Sequence, residues 1–222
     1  MATQFANGKI VTDGLVLCLD AADRTSYLGS GTTWFDLAGS NNGTLVNNPT
    51  FNSNGATSSI VFDGTDDYVG TSVARNATTN QNYTINIVFK IISFTGSDMR
   101  LFGATDGITD QLCSGWDGTT FRIWVQASWN NTNFVSSTGV TYHLTMVHEG
   151  TDNKIYVNGL FNSNITNKTS YFNNLGFCNP YILSYGTFFS GNIYNAQIYN
   201  RALTESEVRQ NYNAQKGRFG LS

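Results

Sequence analysis

The stretch Gly191-Asn-Ile-Tyr-Asn-Ala-Gln-Ile-Tyr-Asn-Arg-Ala-Leu-Thr-Glu-Ser-Glu-Val208 passes from one kind of backbone order to another. Ile193, Ala196, Ile198 and Leu203 stand as apolar positions among polar ones and read as core. Asn200 suits the exit from a strand, because its side chain can bond nearby backbone. Thr204-Glu-Ser-Glu207 then reads as a capping box: the Thr204 hydroxyl accepts from the backbone N–H three residues on, and Glu207 reaches back. Ala202, Leu203, Val208 and Tyr212 give the helix that follows a narrow apolar stripe. The pattern predicts a helix over 205–215 that stops near Gly217, with Lys216–Ser222 left as a tail or docking strand.

Upstream, the period is two. Tyr83, Ile85, Ile87, Phe89 and Ile91 alternate with Thr84, Asn86 and Lys90. Phe121, Ile123, Val125 and Ala127 do the same against Arg122, Trp124 and Gln126, and Val140, Tyr142, Leu144 and Met146 repeat it. Each reads as a strand with one buried face. In Lys154-Ile-Tyr-Val-Asn-Gly-Leu-Phe161 the Asn158-Gly159 pair accepts positive φ at both central turn positions, so the segment reads as a hairpin. Further turn marks at Asn42-Gly43, Asp63-Gly64, Asp106-Gly107 and Asp117-Gly118 space short strands along the chain. That spacing predicts an all-β sandwich or jelly roll.

Composition agrees. The 222 residues fit one large β domain. The 27 Asn, 27 Thr and 22 Gly disfavour a helical bundle. Disorder is excluded by 40% hydrophobic and 14% aromatic residues. The net charge is −3, with no Lys/Arg cluster, so the sequence argues against nucleic-acid partners. No apolar run is long enough for membrane insertion, and the first residues lack the pattern of an export signal. Cys18, Cys113 and Cys178 are odd in number. Cys18 reads as a buried hydrophobe, and Cys113 and Cys178 stay open between reduced thiols and a pair. The sequons at Asn42, Asn76, Asn82, Asn130, Asn164 and Asn167 are expected by chance in a chain this rich in Asn and Thr.

Four pieces in order carry a resemblance: Gly14-Leu-Val-Leu-Cys-Leu-Asp-Ala21, Ser59-Ile-Val-Phe-Asp-Gly-Thr-Asp-Asp-Tyr-Val69, the Lys154–Leu160 hairpin, and Gly191–Val208. Together they resemble the laminin-G-like domain of the concanavalin A-like lectin/glucanase superfamily. The resemblance implies a jelly-roll sandwich of two antiparallel curved sheets with one short C-terminal helix. It divides the chain into an N-terminal arm (1–14), the laminin-G-like sandwich (15–215) and a C-terminal tail (216–222). The start and end motifs are also similar to those of stand-alone domains in virion proteins of tailed bacteriophages.

Candidate site residues follow from residue chemistry. Trp116, Asp117, Trp129, Asn130 and Asn131 combine indoles that can stack on a sugar with amides and a carboxylate that can bond its hydroxyls. Asp106, Asp110 and Asp117 offer hard oxygens in one loop-rich stretch, making calcium the candidate cofactor. Asp63, Asp66 and Asp67 fit a turn whose carboxylates cap backbone N–H groups, with calcium as the competing reading. Asp67, Arg201, Thr204 and Glu207 are assigned structural roles, Arg201 pairing with a carboxylate such as Asp67 or Asp20. His143 and His148 point to opposite faces of a strand and lack zinc-site company.

The superfamily's glucan-cleaving members carry a Glu-x-Asp-x-x-Glu motif on one strand, and this chain has only Glu149, Glu205 and Glu207. Paired carboxylates are what glycoside hydrolysis requires. The expectation is therefore a protein that is not an enzyme. The leading reading is a virion surface protein, either capsid decoration or a tail-fibre-type adhesin, assembled in bacterial host cytoplasm. Its expected partners are other virion proteins and cell-surface glycans, and self-association into a homo-oligomer stays open. Its flanks, Thr3–Thr12 and Lys216–Ser222, are long enough to reach neighbours. The alternatives are a free carbohydrate-binding lectin of bacterial origin and, more distantly, a glycoside hydrolase.

Overall fold

The computed structural model describes residues 4–5, 8–75, 81–104, 112–178 and 187–221. Among the described residues, eighteen strands precede one α-helix. They are β1 (Gln4–Phe5), β2 (Gly8–Lys9), β3 (Leu15–Asp20), β4 (Thr33–Trp34), β5 (Gly43–Val46), β6 (Thr50–Asn52), β7 (Ser59–Asp63), β8 (Tyr68–Gly70) and β9 (Tyr83–Ser93). There follow β10 (Met99–Ala104), β11 (Cys113–Asp117), β12 (Thr120–Val125), β13 (Ser128–Val135), β14 (Thr141–Glu149), β15 (Asp152–Val157), β16 (Leu160–Ile165), β17 (Leu175–Phe177) and β18 (Ser190–Tyr199). The helix α1 spans Glu205–Phe219.

Two antiparallel sheets form the sandwich. The first runs β13-β12-β11-β10-β17-β8-β5-β4, and the second β16-β15-β14-β9-β18-β7-β6, with β3 also paired to β18. Alternating apolar residues of both sheets meet in one core, which includes Leu17, Phe62, Ile87, Phe102, Phe121, Ile155 and Phe177. The period-two readings place these inward faces correctly within the strands but overrun two ends: Ala127 is exposed in the turn after β12, at φ 56°, and Val140 is exposed ahead of β14. The Asn158-Gly159 hairpin also forms, with φ of 50° and 72° at the two turn residues.

The opposite face of β9 was expected to be open, but Thr84, Asn86 and Val88 are buried. The reason is α1, which lies across the outer face of the second sheet and buries Val208, Asn211, Ala214, Gln215 and Phe219. The seat beneath it is polar. Thr145, Asn86 and Gln197 are directly opposite one another on β14, β9 and β18. They are linked by hydrogen bonds from Thr145 Oγ1 to Asn86 Oδ1 (2.5 Å) and from Asn86 Nδ2 to Gln197 Oε1 (2.8 Å). Covered on both faces, β18 is buried along its whole length.

The capping box forms as read, with Thr204 Oγ1 accepting from Glu207 N and Glu207 Oε2 accepting from Thr204 N. The far end of α1 departs from expectation. The helix passes Gly217 and runs to Phe219, where Gly220 supplies the left-handed cap at φ 60°. Tertiary contacts outweigh the helix cost of glycine: Phe219 packs on Tyr194, and Arg218 pairs with Asp20 at 2.5 and 2.6 Å. The flanks fold back likewise. Ile10 and Val11 are buried, and Val11 N donates to Asn211 Oδ1. So Ile10–Val11 and Lys216–Phe219 pack on their own domain.

Candidate functional site

The outer face of the first sheet carries the polar and aromatic groups that could meet a ligand. One row of directly opposed residues crosses all eight strands: Trp129, Trp124, Cys113, Gly103, Gly176, Gly70, Thr44 and Thr33. Three successive members are glycines. With strands spaced about 4.8 Å apart, they leave roughly 10 Å of sheet without side chains. The row is buried at Gly103 and Gly176 and more accessible at Gly70.

At the tryptophan end, the sequence-derived candidates separate. Trp116 does not face a ligand: it has no exposed surface and packs in the core against Phe89, Phe121 and Phe189. Its position opposite Phe121 on the inward face of β11 dictates this. Trp129 does lie on the outer face, half-buried, with the Arg122 guanidinium 4.2 Å from its ring centroid and Trp124 edge-on at 5.5 Å. A sugar stacking on the covered face would have to displace Arg122. Arg122 in turn is held by Asp98 and, at 3.1 Å, by Asp117. Asn131 faces outward opposite Arg122 and is exposed, whereas Asn130 pairs with Ile123 on the inward side and donates to Ser128 O at 2.9 Å. The five candidates therefore do not form one site.

The metal readings fare as follows. Asp106 and Asp110 lie outside the described residues, and Asp117 is the ion-pair partner of Arg122. Asp63, Asp66 and Asp67 each bring an oxygen within 4.8 Å of the others. Asp63 Oδ1 accepts from Thr65 N, and Asp67 Oδ2 accepts from Asp63 N, the turn-capping role foreseen for them. Burial, with Asp63 and Asp66 adding to it, raises the Asp67 pKa despite that hydrogen bond.

Arg201 pairs with neither Asp67 nor Asp20. It grips Glu207 at 2.6 and 2.9 Å and reaches Asp13 at 2.9 Å. Asp20 is taken by Arg218 instead, because the longer α1 brings that guanidinium over β3. The three cysteines are free and buried. Burial pushes the Cys113 thiol up to about 11 despite Arg100, whose Nη1 lies 2.7 Å from its sulfur.

At the other end of the row, Gly70 floors an open groove of about 610 Å³. Val46 and Tyr68, opposite each other on β5 and β8, make one end. Thr44 flanks the floor, and Asn42 and Asn174 stand at the far end. Asn42 is oriented from behind: its Oδ1 accepts from Asp36 N at 2.9 Å, which leaves its amide NH₂ to be offered outward. Asp36 is fixed by accepting from Cys18 N, Ala38 N and Asn41 N. None of these groove residues stands out in the sequence as a ligand contact: Asn42 reads there as a turn mark and Tyr68 as part of a fold motif. The available signal is Tyr68-Val69-Gly70, where an aromatic and a glycine flank a core valine and so share the outward face.

Residues 63–209 match a laminin G family model described as concanavalin A-like lectin/glucanases superfamily. The chain belongs to that superfamily. No curated protein matches the sequence. Among solved structures, Trypanosoma rangeli sialidase in complex with the inhibitor DANA is similar with a TM-score of 0.74 and 19% identity. The match covers 95% of this chain but 34% of the sialidase, so this chain spans about a third of that protein's length. Domain 4 of AbnA, a GH43 extracellular arabinanase from Geobacillus stearothermophilus in complex with arabinotriose, gives a TM-score of 0.67 and 18% identity, covering 89% of this chain and 98% of that one. The botulinum neurotoxin serotype D binding domain gives 0.67 and 12%, covering 92% and 53%. At such identities the shared feature is the fold.

Proposed function

We propose that this protein is a non-catalytic adhesion module that binds glycans through the outer face of its first sheet. The observation that carries the reading is the Gly70 groove: a wide surface depression that combines an aromatic wall with amides and a hydroxyl. The arabinanase domain that shares the fold is itself in complex with a saccharide. Among the described residues, Glu207 is engaged by Arg201, Asp20 by Arg218, Asp98 and Asp117 by Arg122, and Glu149 by Lys154, while Asp63 and Asp67 accept from backbone N–H groups of their own turn. The setting we propose is a virion surface, as capsid decoration or tail-fibre-type adhesin, and it rests on the motif resemblance to tailed-phage virion proteins. A free bacterial lectin is the second reading, favoured by the near-complete coverage of the arabinanase domain that is in complex with arabinotriose.

The test is a glycan array probed with the intact protein, paired with a reducing-sugar assay on every glycan retained. Binding without release of product is expected. Turnover on any bound glycan, or retention of none, overturns the reading. Mass spectrometry of purified phage particles separates the two settings, since only the virion reading expects this chain in them.

A further inference from the structure

We propose that the Gly70 groove selects uncharged saccharides, a short neutral segment lying along β5 and β8. The inference rests on the glycan-binding reading above and adds to it the place and the class of ligand. None of the described lining residues carries a charge at neutral pH. Behind the groove stands Asp36: its backbone N–H donates to Asn42 Oδ1, and its carboxylate, held by the N–H groups of Cys18, Ala38 and Asn41, is a negative group on the protein side. A sialic or uronic acid entering there would lose hydration of its carboxylate and meet no cation in return. A neutral sugar has no such cost.

The lining is graded to suit it. Tyr68 and Val46 offer an apolar surface for a pyranose or furanose face, the aromatic ring being the stacking element. Four residues along β5, from Val46 to Asn42, the groove turns polar. Strand rise puts about 13 Å between those ends, room for roughly two or three sugar rings. In the middle, the missing side chain of Gly70 lets a ring approach the backbone. A Cβ built there meets nothing within 4 Å, so the space belongs to the surface and not to the packing of the domain.

That last fact supplies the experiment. Gly70→Val places a β-branched side chain in a strand, where it is well tolerated, and fills the floor. Thr44→Val removes a groove hydroxyl at nearly constant shape, and Tyr68→Ala removes the stacking wall. Intact protein and variants are titrated calorimetrically with arabino-, xylo- and cello-oligosaccharides and with sialyllactose and oligogalacturonate, with melting curves recorded alongside. Expected is binding to at least one neutral series and none to the acidic saccharides. At an unchanged melting midpoint, Gly70→Val should weaken binding tenfold or more, and Thr44→Val and Tyr68→Ala should weaken it measurably. Preference for the acidic ligands overturns the proposal. So does neutral binding untouched by all three variants, which leaves glycan binding intact but moves its site. Failure to bind any saccharide brings down the functional reading as well.

Discussion

His143 shows how a single side chain couples this fold to pH. It is wholly buried on the face of β14 that α1 covers, edge-on to Tyr212 at 5.8 Å, and among the described residues no other residue hydrogen-bonds either ring nitrogen. Burial holds its pKa down at about 3, and burial also lowers that of His148. The unfolded chain therefore binds protons below about pH 6.5 that the native state refuses, and stability falls as pH drops through that range. Each histidine contributes a slope of up to about 1.4 kcal/mol per pH unit. Glu207 acts in a separate window. Arg201 holds its pKa at about 2, so its contribution is present above the ordinary carboxylate range and is lost only below about pH 4.5. Urea unfolding between pH 6.5 and 5 should thus show a decline that His143→Phe makes shallower. An unaltered slope in that variant would contradict the assignment. The opposite facing of His143 and His148 was legible from their spacing of five on a strand. The burial of His143 was not, because its cover arrives from α1, far along the chain.

At the scale of elements, α1 separates what local chemistry specifies from what only assembly can. Its start is written in four consecutive residues, Thr204 to Glu207, and forms as read. Its end depends on Arg218 meeting Asp20, a partner 198 residues away, and on Phe219 meeting Tyr194. A glycine at 217 is a local stop signal, overridden by contacts no window of sequence contains. The same holds for Arg201, whose carboxylate partners could not be chosen among many without the path of the helix. The Arg218–Asp20 pair is nearly inaccessible, with side-chain exposures of 8% and 1%. Arg218→Ala would strand a buried carboxylate and should cost about 3–5 kcal/mol by chemical denaturation. Combining Arg218→Met with Asp20→Asn should recover much of that loss. A double variant as unstable as the single one would show that packing, not charge, dominates there.

Across the whole molecule, the two outer faces have different roles: the second sheet receives the helix and the first chain segment, and the first sheet keeps its groove. Removing residues 1–11 tests this division. It takes away the Val11 N to Asn211 bond and the Tyr199 hydroxyl's acceptor, Val11 O, at 3.0 Å, together with the buried side chains of Ile10 and Val11. A loss of about 2–4 kcal/mol is expected from the stranded polar groups and the apolar area. Saccharide affinity should be unchanged; a truncated protein that melts normally but no longer binds would reverse the division. The sandwich itself was visible in the sequence because period two, turn pairs and one capping box all agreed. The groove was hidden because its floor is an absent side chain, Gly70, and its walls on β5 and β8 are brought together only by strand pairing. Of the two indoles that did attract attention, Trp116 serves the interior, where ring area is needed for filling, and Trp129 lies on the outer face beneath Arg122.

The hydrogen bond between Val11 and Asn211 also sets how the domain would bear a load. Tension on segments attached near these two points crosses a short bridge of polar contacts on one side of the body. The groove of the first sheet lies on the opposite outer face, so a load borne across this contact and a molecule seated in the groove would act on different surfaces.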